Sequence, residues 1–130
     1  MRTPLYWTAG DLAGFTTGTP WLPLGPANRA RAIAVQEAAP SSLLHHAGDV
    51  LALRRECPAL RHGAFRLVAA GEAMLVIDRV VPGQTIRCIY NMTPNEHPAA
   101  DHPAGHLLLA VNGAEAPQLP GYSARWALTG

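Results

Sequence analysis

The hydrophobic pattern of this chain changes character twice along its length. From residue 64 onward, short β-branched or alternating runs recur: "FRLVA" (65–69), "AMLVIDRVV" (73–81), "TIRCIYNM" (84–91), "HLLLAVN" (106–112) and "YSARWAL" (122–128). Gly71, Pro82–Gly83, Pro94, Pro103, Gly113 and the 117–121 stretch separate them. Closely spaced strands with turn residues between them predict an antiparallel sandwich or barrel. Within "TIRCIYN" the alternation puts Ile86, Cys88 and Tyr90 on one face and Arg87 on the other.

Ahead of those runs the period lengthens. Leu43, Leu44, Ala47, Val50 and Leu51 fall at the i, i+3, i+4, i+7, i+8 spacing of one helix face, which predicts a helix from about Ser41 to Cys57. Ser41 or Ser42 can accept from the free amides of its first turn, and Arg54 and Arg55 suit its negative pole. Pro58 is read as its stop.

Residues 1–40 show neither period. Pro4, Gly10, Gly14, Gly18, Pro20, Pro23, Gly25 and Pro26 leave no room for a helix or a long strand, apart from one short helical turn in "AIAVQEAA" (32–39). Tyr6, Trp7, Phe15 and Trp21 argue that this long loop packs on a surface rather than serving as a solvated linker.

Composition narrows the function classes. Hydrophobic residues make up 48% of the 130, charged residues 15%, and the net charge is +1, so neither charge-driven disorder nor an electrostatic partner such as nucleic acid or an anionic membrane is expected. No apolar run is long enough for a transmembrane helix and no signal-peptide pattern opens the sequence, which predicts a cytoplasmic location. Cys57 and Cys88 are expected to be free, buried thiols.

Four segments carry a resemblance: "RTPLYW" (2–7), "AGFTTGTPWLPL" (13–24), "VQEAAPSSLL" (35–44) and "LALRRECPALRHG" (51–63). In this order they resemble the C-terminal portion of the α-glucosidases and oligo-1,6-glucosidases of glycoside hydrolase family 13, in the α-amylase superfamily. "IRCIYNMT" and "LPGYSARWAL" resemble strands of that family's C-terminal domain in pattern more than in letters. The resemblance implies an α+β fragment dominated by β. Residues 1–63 would be the last loop and helix of a TIM-barrel catalytic domain, followed by an antiparallel β-sandwich over 64–130. The chain departs from the family at "HHAGD" (45–49), where an aromatic and basic stretch is usual, and at Leu5 and Tyr6.

The resemblance also bears on chemistry. Retaining glycoside hydrolysis needs a carboxylate nucleophile and a carboxylic acid a few ångströms apart. The family carries these, with a third aspartate, on barrel strands ahead of the "RTPLYW" position. The acids here (Asp11, Glu37, Asp49, Glu56, Glu72, Asp78, Glu96, Asp101, Glu115) are scattered, so no catalytic residue is expected and the chain is expected to be inactive alone. Its partners would be the barrel part of the enzyme and, in the intact enzyme only, an α-glucoside oligosaccharide. Arg2, Trp7 and Phe15 are the residues expected on the substrate-facing loop, with Trp7 and Trp21 more readily pinning that loop onto the barrel rim.

Other features reduce to ordinary structure. His97, Asp101, His102 and His106 are ligand types at loop spacing without a second cluster, so neither metal nor cofactor is expected. His45 and His46 diverge around the helix and cannot chelate one ion. Asn91-Met92-Thr93 fits a glycosylation sequon but reads as a strand end. Without a barrel beneath it, the Leu43–Leu51 stripe would be hidden by self-association or stay wet. The competing reading is an independent noncatalytic β-sandwich module that binds carbohydrate or a protein partner.

Overall fold

The computed structural model describes residues 3–99, 105–115 and 117–130. Its chain divides into two compact units, Met1–Leu51 and Ala52–Gly130.

The first unit is mostly loop. A 3-10 helix runs Pro26–Arg31, α1 runs Ile33–Glu37, and α2, Leu43–Glu56, begins here and ends in the second unit. The 3-10 helix corrects the expectation that proline and glycine exclude helix before residue 40. Pro26 stands in its first turn, where a missing N–H costs nothing. The helix expected from Ser41 to Cys57 is α2. Ser42 Oγ accepts from His45 N–H at 3.4 Å and donates to the Gln36 carbonyl at 2.7 Å. None of its residues is buried, and Leu43 and Leu51 are exposed.

The second unit is built on an antiparallel sheet. β1 (Ala64–Ala70), β2 (Met74–Val81), β3 (Gln84–Asn91), β5 (His106–Val111) and β7 (Ala124–Leu128) form one sheet in the order β1-β2-β3-β7-β5. β4 (His97–Pro98) and β6 (Gln118–Leu119) form a two-residue ribbon. Every pairing is antiparallel, as the alternating runs predict. The β2–β3 hairpin closes on Pro82–Gly83, where proline presets one φ and Gly83 takes the positive φ of 76° that the next position needs.

Pro58 ends α2 but also begins a new helix. α3 (Pro58–His62) starts with that proline in its first turn, and its Ala59 amide donates to Gln84 Oε1 at 2.8 Å. Ile86 and Cys88 face Cys57, Ala59, Leu53 and Leu60 on this side of the sheet, with Tyr90, Trp126 and Leu128 around them. Val76 and Ile89, on the opposite face, pack with Leu119, Ala99 and Ala114. The sheet is therefore covered on both faces, by a helix on one and by the ribbon and its loops on the other. Ile86, Cys88 and Tyr90 do share a face, and Arg87 points to the other.

Candidate functional site

The first unit assembles its loop around one buried ring. Tyr6 is 3% exposed and packs with Ala13, Ala32 and Leu24. The backbone closes over it: Trp7 and Thr8 N–H donate to Ala13 C=O at 2.8 and 3.2 Å, and Ile33 and Ala34 N–H donate to Tyr6 and Trp7 C=O at 2.9 and 3.0 Å. This requires Ala13 and Gly14 at positive φ, 56° and 75°. Burying Tyr6 turns its sequence neighbour outward. Trp7 is 52% exposed, Phe15 43% and Trp21 89%. Within this unit Tyr6 anchors the loop. Arg2 lies outside the described residues.

Gln36 ties the loop to the helices. Its Nε2 donates to Arg31 C=O at 2.8 Å and its Oε1 accepts from Leu44 N–H at 3.1 Å. It floors two open grooves. One, of about 370 Å³, is lined by Val35, Ala39 and Leu43; the other, of about 310 Å³, by Pro4, Leu5, Tyr6 and Asn28. The Asp11–Arg29 pair at 2.9 Å is exposed and contributes little.

The acids offer no reacting pair among the described residues. Asp78 is the one buried acid there, and Arg87 occupies both of its oxygens, Nε to Oδ1 at 2.8 Å and NH2 to Oδ2 at 2.9 Å. Asp11, Glu37, Asp49, Glu56, Glu72, Glu96 and Glu115 are exposed, and Asp101 lies outside the described residues. The thiols are no better as nucleophiles. Burial pushes Cys57 up, and pushes Cys88 up to about 11, so both stay protonated at neutral pH.

The sequon resolves into structure, whereas residues 100–104 of the histidine loop lie outside the described residues. Among the described residues no three His, Cys, Asp or Glu side chains gather as a metal group. His97 Nε2 lies 3.0 Å from Thr93 Oγ1, and His102 is outside the described residues. Asn91 is buried: its Nδ2 donates to the carbonyls of Asn95, Leu119 and Pro120, and its Oδ1 accepts from Thr93 N–H and Oγ1. The sequence reading missed Tyr6 and Gln36. The only available signal for Tyr6 was an aromatic next to Trp7, which does not say which ring goes inward.

Comparison with known proteins agrees with this layout. Residues 1–63 match the family model described as alpha amylase, catalytic domain. A probable α-glucosidase of Rhizobium meliloti is 38% identical over 92 residues, 71% of this chain and 17% of that protein. A probable oligo-1,6-glucosidase of Bacillus subtilis is 38% identical over 78 residues, 58% of this chain and 14% of that one. Trehalose-6-phosphate hydrolase of Escherichia coli is 32% identical over 98 residues, 75% of this chain and 18% of that one. The chain thus spans under a fifth of the length of these relatives. In fold it resembles the trehalulose synthase MutB of Pseudomonas mesoacidophila MX-45, with a TM-score of 0.88 at 24% identity, over 98% of this chain and 25% of that one. Among the described residues no helix is long and apolar enough to cross a membrane.

Proposed function

We infer that this chain, which belongs to the α-amylase family and is a C-terminal portion of an α-glucosidase-type glycoside hydrolase, works as part of an enzyme that cleaves α-glucosidic bonds of small oligosaccharides. The observation that carries this reading is the match of residues 1–63 to the catalytic-domain model.

The acids among the described residues offer no pair for the chemistry. Hydrolysis with retention needs a nucleophilic carboxylate beside a proton-donating one. The buried Asp78 is consumed by Arg87, and the other described acids are exposed and scattered along the chain. The reacting pair therefore comes from the part of the catalytic fold that these residues do not include. This chain contributes a loop that presents Trp7 and Phe15, rings able to lie against a sugar face, with Arg2 upstream of both in the sequence. It also contributes the open stripe of α2, where Leu43 and Leu51 gain burial against the barrel or, failing that, against a second copy. Burying each would contribute about 1.5–3 kcal/mol.

The test is an assay of the purified chain on maltose, isomaltose, sucrose and a chromogenic α-glucoside, alone and co-expressed with the N-terminal part of a related α-glucosidase. The expected result is no turnover alone and turnover with the complement. Turnover by the repurified chain alone would overturn the proposal. A complement that binds without restoring activity would count for the alternative, a noncatalytic module, which the two core layers of the β unit favour.

A further inference from the structure

The described residues include three non-glycine residues at positive φ, and two of them, Asn112 (54°) and Tyr122 (51°), are joined to each other. Asn112 Nδ2 donates to the Tyr122 carbonyl at 2.7 Å. On its other side, the Tyr122 amide donates to Thr93 C=O at 2.9 Å. Gly121 sits so close against the Pro94 backbone that no side chain fits there. A strained tyrosine is thus clamped through both of its backbone groups, while the residue as a whole stays 62% exposed. The next residue, Ser123, is buried, so the chain turns inward immediately after presenting the ring.

Packing does not explain the ring. Tyrosine loses more than glycine by adopting this φ, and strain of this kind persists where the surroundings hold it and clusters at ligand-contacting positions. The surface around it is small. Met92, on the strand-end segment leading to Thr93, is the other large exposed apolar residue of this corner, and Asn95 and Glu96 are exposed in the following turn. Two such side chains fall far short of the roughly 800 Å² per partner of a stable protein interface. One rigid ring with the Asn112 amide bonded to its backbone fits one or two sugar rings, whose C–H faces stack on an aromatic and whose hydroxyls take hydrogen bonds.

We propose that Tyr122, held by Asn112 and Thr93, is the platform of a surface site for an α-linked gluco-oligosaccharide, built from residues of the second unit. The Oδ1 atom of Asn112 is the acceptor closest in bonding to the platform, because only its Nδ2 is spent on the Tyr122 carbonyl. The choice of α-glucoside as ligand class rests on the proposed function. The site itself needs no catalysis.

The experiment is a titration of the isotope-labelled chain with maltotetraose, with cellotetraose as control, followed by amide and side-chain NMR. The expected result is saturable shifts at Tyr122, Asn112 and Met92 with maltotetraose, at millimolar affinity. The Tyr122→Gly variant should lose at least tenfold in affinity while its Tm holds or rises, since glycine accepts the positive φ. No shift at tens of millimolar, or shifts unchanged in Tyr122→Gly, would overturn the proposal. So would shifts abolished by Trp21→Ala but not by Tyr122→Gly, which would place the sugar on the N-terminal loop. A Tm several degrees lower in Tyr122→Gly would make the ring a structural contact, and self-association or protein capture at this corner would make it a docking point. Each of these results leaves the assignment of the enzyme class standing.

Discussion

Arg87 on β3 grips Asp78 on β2 with two parallel hydrogen bonds, 2.8 and 2.9 Å long, from directly opposed positions in the sheet. The pair lies on the face of the sheet away from α3, with the aspartate buried and the arginine partly covered. The hydrogen bond to Asp78 raises the Arg87 guanidinium above its ordinary value, so it stays charged at any working pH. Such a fork fixes strand register by geometry as well as by charge.

Removing one partner strands the other. Asp78→Ala is expected to lower stability by about 3 kcal/mol, because the guanidinium is left unpaired in a half-covered site. The Asp78→Leu/Arg87→Met double variant should lose less than the sum of the single changes. Urea unfolding of the three variants checks this, and additivity would mean the fork contributes nothing of its own.

Asn91 is the second polar keystone. Its amide bonds three carbonyls from two separate loops, so Asn91→Ala leaves those carbonyls and the Thr93 amide without their partner. A loss of about 2–4 kcal/mol is expected, larger than for an ordinary surface asparagine. Expression in a glycosylating host should add no mass at Asn91, because the side chain that would carry the glycan is enclosed. Intact mass spectrometry decides it.

The strands could be read from the chain because their side chains alternate between two faces, and the main helix because its apolar residues keep helical spacing even though none of them is buried. Ile86, Cys88 and Tyr90 alternate with Arg87 because a sheet faces two different environments, and Leu43 to Leu51 recur at helical spacing. Other parts left no such trace. Pro58 is a stop for α2 and equally a good first residue for α3, and only the fit of Ala59 against Gln84 decides that the chain turns helical again. Pro26 misled in the same way. β4 and β6 are two residues each, too short for a period. Nothing local distinguishes Tyr6 from Trp7, whose roles are set by which ring Ala13 and Ala32 can enclose. The positive φ at Tyr122 leaves no local trace, because its backbone is held by Asn112, ten residues earlier, and by Thr93, earlier still.

Close backbone approach makes a further prediction at Gly105. A methyl group there would collide with the Leu128 carbonyl, where β5 begins beside the end of β7. Gly105→Ala should therefore push His106 off Leu128 and lower stability by at least about 2 kcal/mol, with loss of amide protection concentrated in β5. Gly48→Ala is the control. It stands inside α2 with nothing within 4 Å of the added carbon, and should stabilise by about 0.5–1 kcal/mol. Equal effects at the two sites would contradict the geometry.

The α3 side of the sheet holds a pH response of predictable sign. Burial raises the Cys88 thiol from 9.0 to about 11 and the Tyr90 phenol from 10.0 to about 12; Cys88 pushes Tyr90 further up, while the hydrogen bond with Tyr90 partly offsets the rise at Cys88. Trp126 Nε1 donates to Tyr90 Oη at 3.1 Å, which partly offsets the rise by favouring the phenolate. Both groups hold their protons longer in the folded chain than in the unfolded one. Their contribution is therefore complete below pH 9, and stability falls as pH rises through the folded values, between about 9 and 12. The loss is on the order of a few kcal/mol in total, shared between coupled groups. Unfolding free energies measured from pH 7 to 11.5 should be flat to about 9 and then decline. Tyr90→Phe should flatten the upper part of that decline and Cys88→Ala its onset. A decline unchanged in both variants would assign it to other groups, and stability rising above pH 9 would reverse the burial argument altogether.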